Sequence, residues 1–402
     1  MGDGGRRIRR QGNLAKELTP MHLTRFSYAR ASARWSVDPL PALDSPATLV
    51  IAFGAAELRD DDRPFADLRR AFPRSVVIGC STAGEIDGAR VVDDSITAAA
   101  IRFEHTRVVL AKARLPTVQA SFQAGTELAD QLRRGGDDLR AVLVLSEGLH
   151  VNGSALVRGL VTRLPTSVVV AGGLAGDGDR FQQTWVLSGS HPASRMACAV
   201  GLYGEHVQVG HGSKGGWDPF GPERVITESR GTVLYALDGR PALALYKEYL
   251  GERAAGLPGT ALLFPLSLRA DADAADSVVR TVLSVDEAAQ SLTFAGDMPI
   301  GAYAKLMRAN FDRLILGASD AAAQAGFPRR PGTPGLCIAI SCVGRRLVLG
   351  TRAEEETEAT LEGMPEGTEQ IGFYSYGEIS PRGPGRCDLH NQTMTLTVIS
   401  EA

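Results

Sequence analysis

The stretch from Val76 to Ile86 reads VVIGCSTAGEI. An apolar run stops at Gly79, and a thiol (Cys80), two hydroxyls (Ser81, Thr82), a second glycine (Gly84) and a carboxylate (Glu85) follow at once. That set suits a nucleophile on a tight turn, an anion-binding loop, or a polar loop at a strand end. A nucleophile elbow needs G-x-S-x-G between strand and helix. Here Ala83 stands where the last glycine belongs. A hydrolase built on Cys80 or Ser81 also needs a histidine base oriented by an acid, and no spacing singles out His150 or His390 for that role. A phosphate loop needs its lysine, which is missing. The segment GGLAGDGD at 172–179 repeats the design of strand, glycines and acid, but its acids oppose a pyrophosphate. No HExxH or CxxC pattern offers a metal site, and His206 and His211 point to opposite faces of an alternating stretch.

The elements that must carry these residues alternate. Short apolar runs at 47–54, 74–80, 139–148 and 166–174 read as buried strands, with helical spacing at 62–72, 121–134 and 152–164 between them. Asn152 is placed to cap the last of these helices. The stretch 97–115 reads as strand, folded as a hairpin, and strands without helices at 183–212 imply antiparallel pairing in a mixed sheet. GGWDPFGPE at 215–223 reads as an exposed loop. A second unit opens near Pro241, and its longest helical pattern covers 301–326. The tripeptide GEI occurs at 84–86 and again at 377–379, each time after an apolar strand, which suggests related halves.

These patterns predict an α/β protein of two pseudo-related domains, with mixed β-sheets covered by helices. The expected division is an N-terminal extension at 1–45, disordered over 1–20, then domains at 46–240 and 241–402. Met21 begins the regular patterning. A formal net charge of −3 gives no footprint for nucleic acid, and no apolar run is long enough to span a membrane. Five cysteines without a CxxC pair suggest reduced thiols and a cytoplasmic setting.

IGCSTAGEI, SEGLHVNGSALVRGL, GGLAGDG, HGSKGGWDPFGPERVIT, LDGRPALALYKEYLG, SCVGRRLVLG, GFYSYGEISP and CDLHNQTMTL occur in this order. Together they resemble the landmarks of the FIST family, whose members carry paired N- and C-terminal FIST domains. The resemblance implies a small-ligand sensor of bacterial signal transduction, with amino acids among the ligands proposed for the family. It also implies a separate signalling partner such as a histidine kinase, a chemoreceptor or a cyclic-di-nucleotide enzyme. One branch of the family is similar to haem proteins that sense nitric oxide. Glu147 stands where an aspartate is expected.

Strand-end loops of an α/β sheet gather at its carboxyl edge, where ligands commonly bind. The expected ligand site therefore comprises Cys80, Ser81, Thr82, Glu85 and Asp177 from the first domain, with Glu378, His390 and Asn391 from the second. Glu85 would recognise a cation such as an amino group. The competing reading of the same residues is a set of hydrogen bonds that knits the domains together. For haem, His211 is the expected axial ligand, with Trp217 and Phe220 as apolar walls and Lys214 for a propionate; His390 is the second choice.

Overall fold

The computed structural model describes residues 21–189, 191–274, 277–326, 333–383 and 385–402. The expected disorder of 1–20 lies outside them. The architecture is mixed α/β, as the patterning implies, and its strands fall into four sheets.

Three of these sheets share one plan. In unit I a lead strand, His22–Ala29, is followed by a first strand, Thr48–Ala55, a helix, Asp62–Ala71, and a second strand, Val76–Thr82. The chain then leaves for another sheet as a crossing strand, Glu85–Asp87, and comes home as a return strand, Ser95–Arg102. Unit II repeats this with Arg107–Arg114, Leu139–Ser146, the helix Gly153–Arg163, Val169–Leu174, the crossing strand Val186–Ser188 and the return strand Met196–Tyr203. Unit III does so with Val207–Lys214, Gly335–Cys342, the helices Val343–Leu349 and Ala353–Glu362, Thr368–Ser375, Gly377–Gly383 and Met394–Glu401. First and second strands are parallel in every unit, and the return strand is antiparallel to the first. The expected hairpin at 97–115 does not form, because its two halves serve different sheets: residues 95–102 close unit I and 107–114 open unit II.

Each crossing strand completes a neighbour's sheet. Unit I's pairs with the second strand of unit III, unit III's with that of unit II, and unit II's with that of unit I. At the exchange Ile86 lies opposite Gly372, Ile379 opposite Gly172 and Leu187 opposite Gly79. All three glycines are required by close approach: a Cβ would overlap the main-chain oxygen of Ala339, Val144 or Ala52 on the adjoining first strand. The repeated GEI thus belongs to a unit that occurs three times, the third split by an insert between its lead strand, Val207–Lys214, and its first strand, Gly335–Cys342.

Period-two alternation divides each first strand between two cores. Leu49, Ile51 and Phe53, Leu143 and Leu145, and Leu336, Ile338 and Ile340 face one central cluster fed by all three sheets. Val50 and Ala52 face the helix of unit I, while Val142, Val144, Cys337 and Ala339 face those of units II and III. With both faces buried, the strands read as unbroken apolar runs.

Between the lead strand of unit III and the helix Phe311–Ala325 lies an inserted eight-stranded sheet with its own core around Leu234, Leu243, Tyr246 and Phe294. The segment expected as a loop at 215–223 runs into its long strand Asp218–Arg230, and Trp217 is buried. The pattern 301–326 divides into a strand, Tyr303–Arg308, and a helix that starts only after Asn310, whose side chain accepts the Arg313 N–H at 3.3 Å. Few polar ties hold the insert to the rest. Asp297 accepts from Asn152 at 2.8 Å and Arg158 at 2.6 Å, and Arg313 meets Asp218 at 2.7 Å.

Gly372→Ala is expected to destabilise the protein by about 3 kcal/mol or more, since the overlap is with main chain and nothing flexible can yield; urea denaturation measures it. A chain ending at Asp238 leaves the central cluster open and is expected to elute as aggregate in size-exclusion chromatography, without a cooperative melt.

Candidate functional site

The polar residues at the crossings form two matching clusters. Glu85 takes the Thr82 hydroxyl on one carboxyl oxygen, and on the other the Ser95 N–H at 3.2 Å and hydroxyl at 2.6 Å. Glu378 takes the Ser375 hydroxyl at 2.8 Å, then the Thr393 N–H at 3.1 Å and hydroxyl at 2.9 Å. In each, the hydroxyl of Thr82 or Ser375 also accepts the N–H of the glycine before the acid, at 3.2 and 3.3 Å. Both acids are buried, and burial without a cation at bonding distance pushes each carboxyl up from its ordinary value of 4.5 to about 8.

Unit II breaks the pattern. By strand register Val186 stands where the other units have glutamate, and Met196 where they have Ser95 and Thr393. Acid and hydroxyl donor have been exchanged together for an apolar pair. The segment 178–185 is extra, and Asp177 organises it by accepting the N–H groups of Phe181 at 3.0 Å, Gln182 at 2.8 Å and Gln183 at 2.8 Å, with the Tyr376 hydroxyl on the same carboxyl.

Cys80 and Ser81 lie beside this seam with no exposed surface. The Cys80 thiol belongs to the central cluster, and burial pushes it well above its usual range. The Ser81 hydroxyl accepts the Trp185 N–H at 3.0 Å. Cys80, Ser81, Thr82, Glu85, Asp177, Glu378 and Asn391 are absent from the lining of four cavities of the molecule: the two at His211, one beside Trp35 and one beside Glu147. The hydrogen bonds of Thr82 and Glu85 tie unit I to itself and those of Glu378 tie unit III to itself, each across the base of its crossing; the bond from Tyr376 to Asp177 joins unit III to unit II.

The other expected residues do meet at a cavity. A groove of about 660 Å³ separates the inserted sheet from the ring. His211 and Lys214 enter it from the lead strand of unit III, Arg382 and His390 from that unit's crossing and the strand Arg386–His390 after it, and Trp217 from the entry to the insert. Met307 and Val279 line the insert side, together with the hydroxyls of Ser267 and Ser277. A narrower cavity of about 330 Å³ shares His211 and Pro381 with it. Burial lowers the pKa of His211, and that of His390 to about 4, so His390 is neutral at physiological pH. Its Nε2 lies 3.2 Å from the Ser380 carbonyl and so carries the proton, which leaves Nδ1 as an acceptor. Beside it, the fully buried Asn391 carboxamide has no partner among the described residues, and neither does the Ser380 hydroxyl. Buried polar groups of this kind normally bond to water or to a ligand.

The lining carries two cations, Lys214 and Arg382, and no carboxylate, although Arg382 is paired with Asp388 at 3.0 Å. Arg382 was missed from the sequence; a lone basic residue in the turn-rich SPRGPG gives little signal. The groove does not fit haem. Trp217 is present as expected, but Phe220 packs on Phe264 with ring centroids 5.9 Å apart, and hydroxyls and cations replace the apolar slot that a macrocycle needs.

Ring and insert together define a two-domain mixed α/β protein with a cleft between its parts. The FIST N domain model matches residues 48–240 and the FIST C domain model residues 242–381. The chain belongs to the FIST family, whose domains are ligand-binding, sensing modules of signal transduction. Among solved structures, a chorismatase is similar at 8% identity and a TM-score of 0.35, over 96% of this chain and 100% of that one. A cyanuic acid hydrolase from A. caulinodans is similar at 9% identity and a TM-score of 0.37, over 95% and 99%. No curated protein matches the sequence closely enough to count as a relative. No helix among the described residues is long and apolar enough to cross a membrane.

The two raised carboxyls make stability depend on pH. The unfolded chain releases these protons near pH 4.5, whereas the folded one holds them to about 8. Their contribution is fully present below 4.5 and is lost as pH rises to about 8. Urea midpoints measured across that range are expected to fall with rising pH, and to fall less steeply in Glu85→Gln and least in the double variant with Glu378→Gln.

Proposed function

We propose that this chain is the sensing component of a bacterial signalling system. It binds a small carboxylate-bearing, amino-acid-like molecule in the groove between insert and ring, and passes the change to a separate partner such as a histidine kinase, a chemoreceptor or a cyclic-di-nucleotide enzyme. The carrying observation is the groove lining, in which Lys214 and Arg382 both reach the cavity and no carboxylate does; Arg382 is also paired with Asp388 at 3.0 Å, whereas Lys214 has no ion pair among the described residues. A carboxylate taken from water needs fixed cations of this kind. The Trp217 indole, held by its N–H to the Gln392 carbonyl at 2.8 Å, offers a flat face to an apolar side chain. The free Nδ1 of His390 and the hydroxyls of Ser267 and Ser277 supply acceptors for an ammonium group.

Signal transfer follows from the position of the groove. Its walls belong to two bodies joined by few polar contacts, so a ligand that bonds both draws the insert towards the ring. Differential affinity for the closed arrangement shifts the equilibrium by that amount and no more. The expected partner reads the new position of the insert. With its thiols reduced, the chain would act in the cytoplasm.

Calorimetric titration with the standard amino acids and with short organic acids tests this reading. At least one is expected to bind, with Lys214→Ala and Arg382→Ala each weakening it about tenfold or more, as the loss of a charge-assisted hydrogen bond implies. A panel with no binder, or variants that bind like the parent, would contradict it.

A further inference from the structure

The seam where unit II's crossing strand enters unit I lacks the closures that cover the other two. In the seam of units I and III, Glu85 fills the crossing and Arg346 lies over it, donating to the Ala83 carbonyl at 2.6 Å and to Asp93 at 2.6 Å. In the seam of units III and II, Glu378 fills the crossing, and fully buried Gln392 covers its edge. Strand register places Arg59 in unit I where unit III has Arg346, on the turn after the first strand. Arg59 is exposed, and no bond to it is found among the described residues.

A second position agrees. The residue two before the start of each return strand's pairing with the first strand has a left-handed backbone: Asp94 at φ 53°, Gln392 at 63° and Arg195 at 54°. This turn is disfavoured for residues other than glycine, yet it occurs in all three units. In the sealed seams it presents an aspartate, ion-paired to Arg30 at 3.1 Å, and a buried glutamine. In unit II it presents an exposed arginine, whose guanidinium bonds only the Pro116 carbonyl, at 3.0 Å, among the described residues.

Both arginines line a cavity of about 290 Å³ at the carboxyl edge of the first strands. That is about ten water volumes, room for a molecule of a few heavy atoms. Its floor is Glu147, buried, with one carboxyl oxygen 2.7 Å from the His150 N–H. The other oxygen makes only long contacts: 3.3 Å to the Leu149 N–H, 3.4 Å to the Thr184 hydroxyl and 3.4 Å to His150 Nδ1. It retains room for a shorter, stronger donor. The extra segment that Asp177 organises adds Gln182 and Gln183 to the wall.

We infer that this seam is a second ligand site, which takes a small molecule with an oxyanion at one end and an ammonium or hydroxyl at the other. Arg59 and Arg195 hold the oxyanion from two units, and Glu147 with His150 receives the donor. The ligand completes the one seam whose crossing strand carries no glutamate, with Val186 in its place. The site shares no residue with the groove between insert and ring, and does not depend on it.

The test uses the full-length protein and four probes: L-lactate, L-alanine, acetate and inorganic phosphate. Binding is read by calorimetry, and by protection of arginines from phenylglyoxal mapped by mass spectrometry. Lactate or alanine is expected to bind at least tenfold more tightly than acetate, to protect Arg59 and Arg195, and to lose at least tenfold in Arg59→Gln and Arg195→Gly. Glycine adopts the left-handed turn freely, so the second variant keeps its backbone. In Lys214→Ala the protection of Arg59 and Arg195 from phenylglyoxal is expected to persist, whatever happens to binding at the groove. Phosphate binding that protects the same two arginines would support the site and assign its oxyanion end to phosphate rather than carboxylate. Absence of binding by all four probes, equal affinity for acetate and lactate, or binding that is lost in Lys214→Ala, is retained in the two arginine variants and leaves Arg59 and Arg195 unprotected would overturn the inference; the last outcome would still support the groove.

Discussion

Three main-chain hydrogen bonds close the molecule on itself. Ala83 donates to the Tyr374 carbonyl at 2.8 Å, Tyr376 to Leu174 at 3.2 Å and Gly176 to Ser81 at 3.0 Å. Each bond runs from the end of one unit's second strand to the end of another's, and the third returns to the first unit. The crossing strands extend these contacts into sheet pairing. No unit owns all the strands of its sheet, and the central cluster is drawn from all three. The two carboxyl clusters are consequences of this closure. A chain that turns out of one sheet and back again leaves N–H groups unpaired inside the protein: the Thr82 and Ser375 hydroxyls accept those of Gly84 and Gly377 on the way out, and Glu85 and Glu378 those of Ser95 and Thr393 on the way back.

A ring of this kind is stiff, and stiffness suits a sensor only when something else moves. The inserted sheet is the candidate. It carries its own core and meets the ring through Asp297, Asp218 and the fully buried Arg280, which donates to the Leu389 carbonyl at 2.9 Å. The fully buried pair of Arg345 and Glu356, 2.7 Å apart, fixes the root of the insert, because Arg345 also donates to the carbonyls of Gly215 and Leu314. Breaking such a pair would strand a buried charge, so the root is held more firmly than the polar ties at Asp297 and Arg280 hold the sheet beyond it.

The strands, and with them the fold class, were legible because both faces of each first strand are buried and the apolar runs stand out. The Asn152 cap was legible too, and its side chain accepts the Ala155 N–H at 2.9 Å. The three-fold repeat was not. Two copies announce themselves through GEI, but the third has Asp177 and Gly178 in that stretch, the extra residues 178–185, and Val186 in the glutamate's place. Local composition misled at GGWDPFGPE, where glycines and prolines that usually make loops run into a strand held by pairing on both sides. At 301–326 a strand precedes the helix, and only the cap at Asn310 separates them. The groove was half legible, through His211, Lys214, Trp217 and His390. Arg382, Arg59 and Arg195 were not, since isolated arginines carry no pattern until register aligns the units.

The central claim is that the three units form one cooperative ring, and native-state hydrogen exchange tests it directly. The amides of Ala83, Gly176 and Tyr376 are predicted to exchange with a single free energy, equal to that of global unfolding measured by denaturant, while amides of the inserted sheet exchange through a smaller opening. If one of these three amides exchanges well before the other two, that unit opens on its own and the account of a closed ring is wrong.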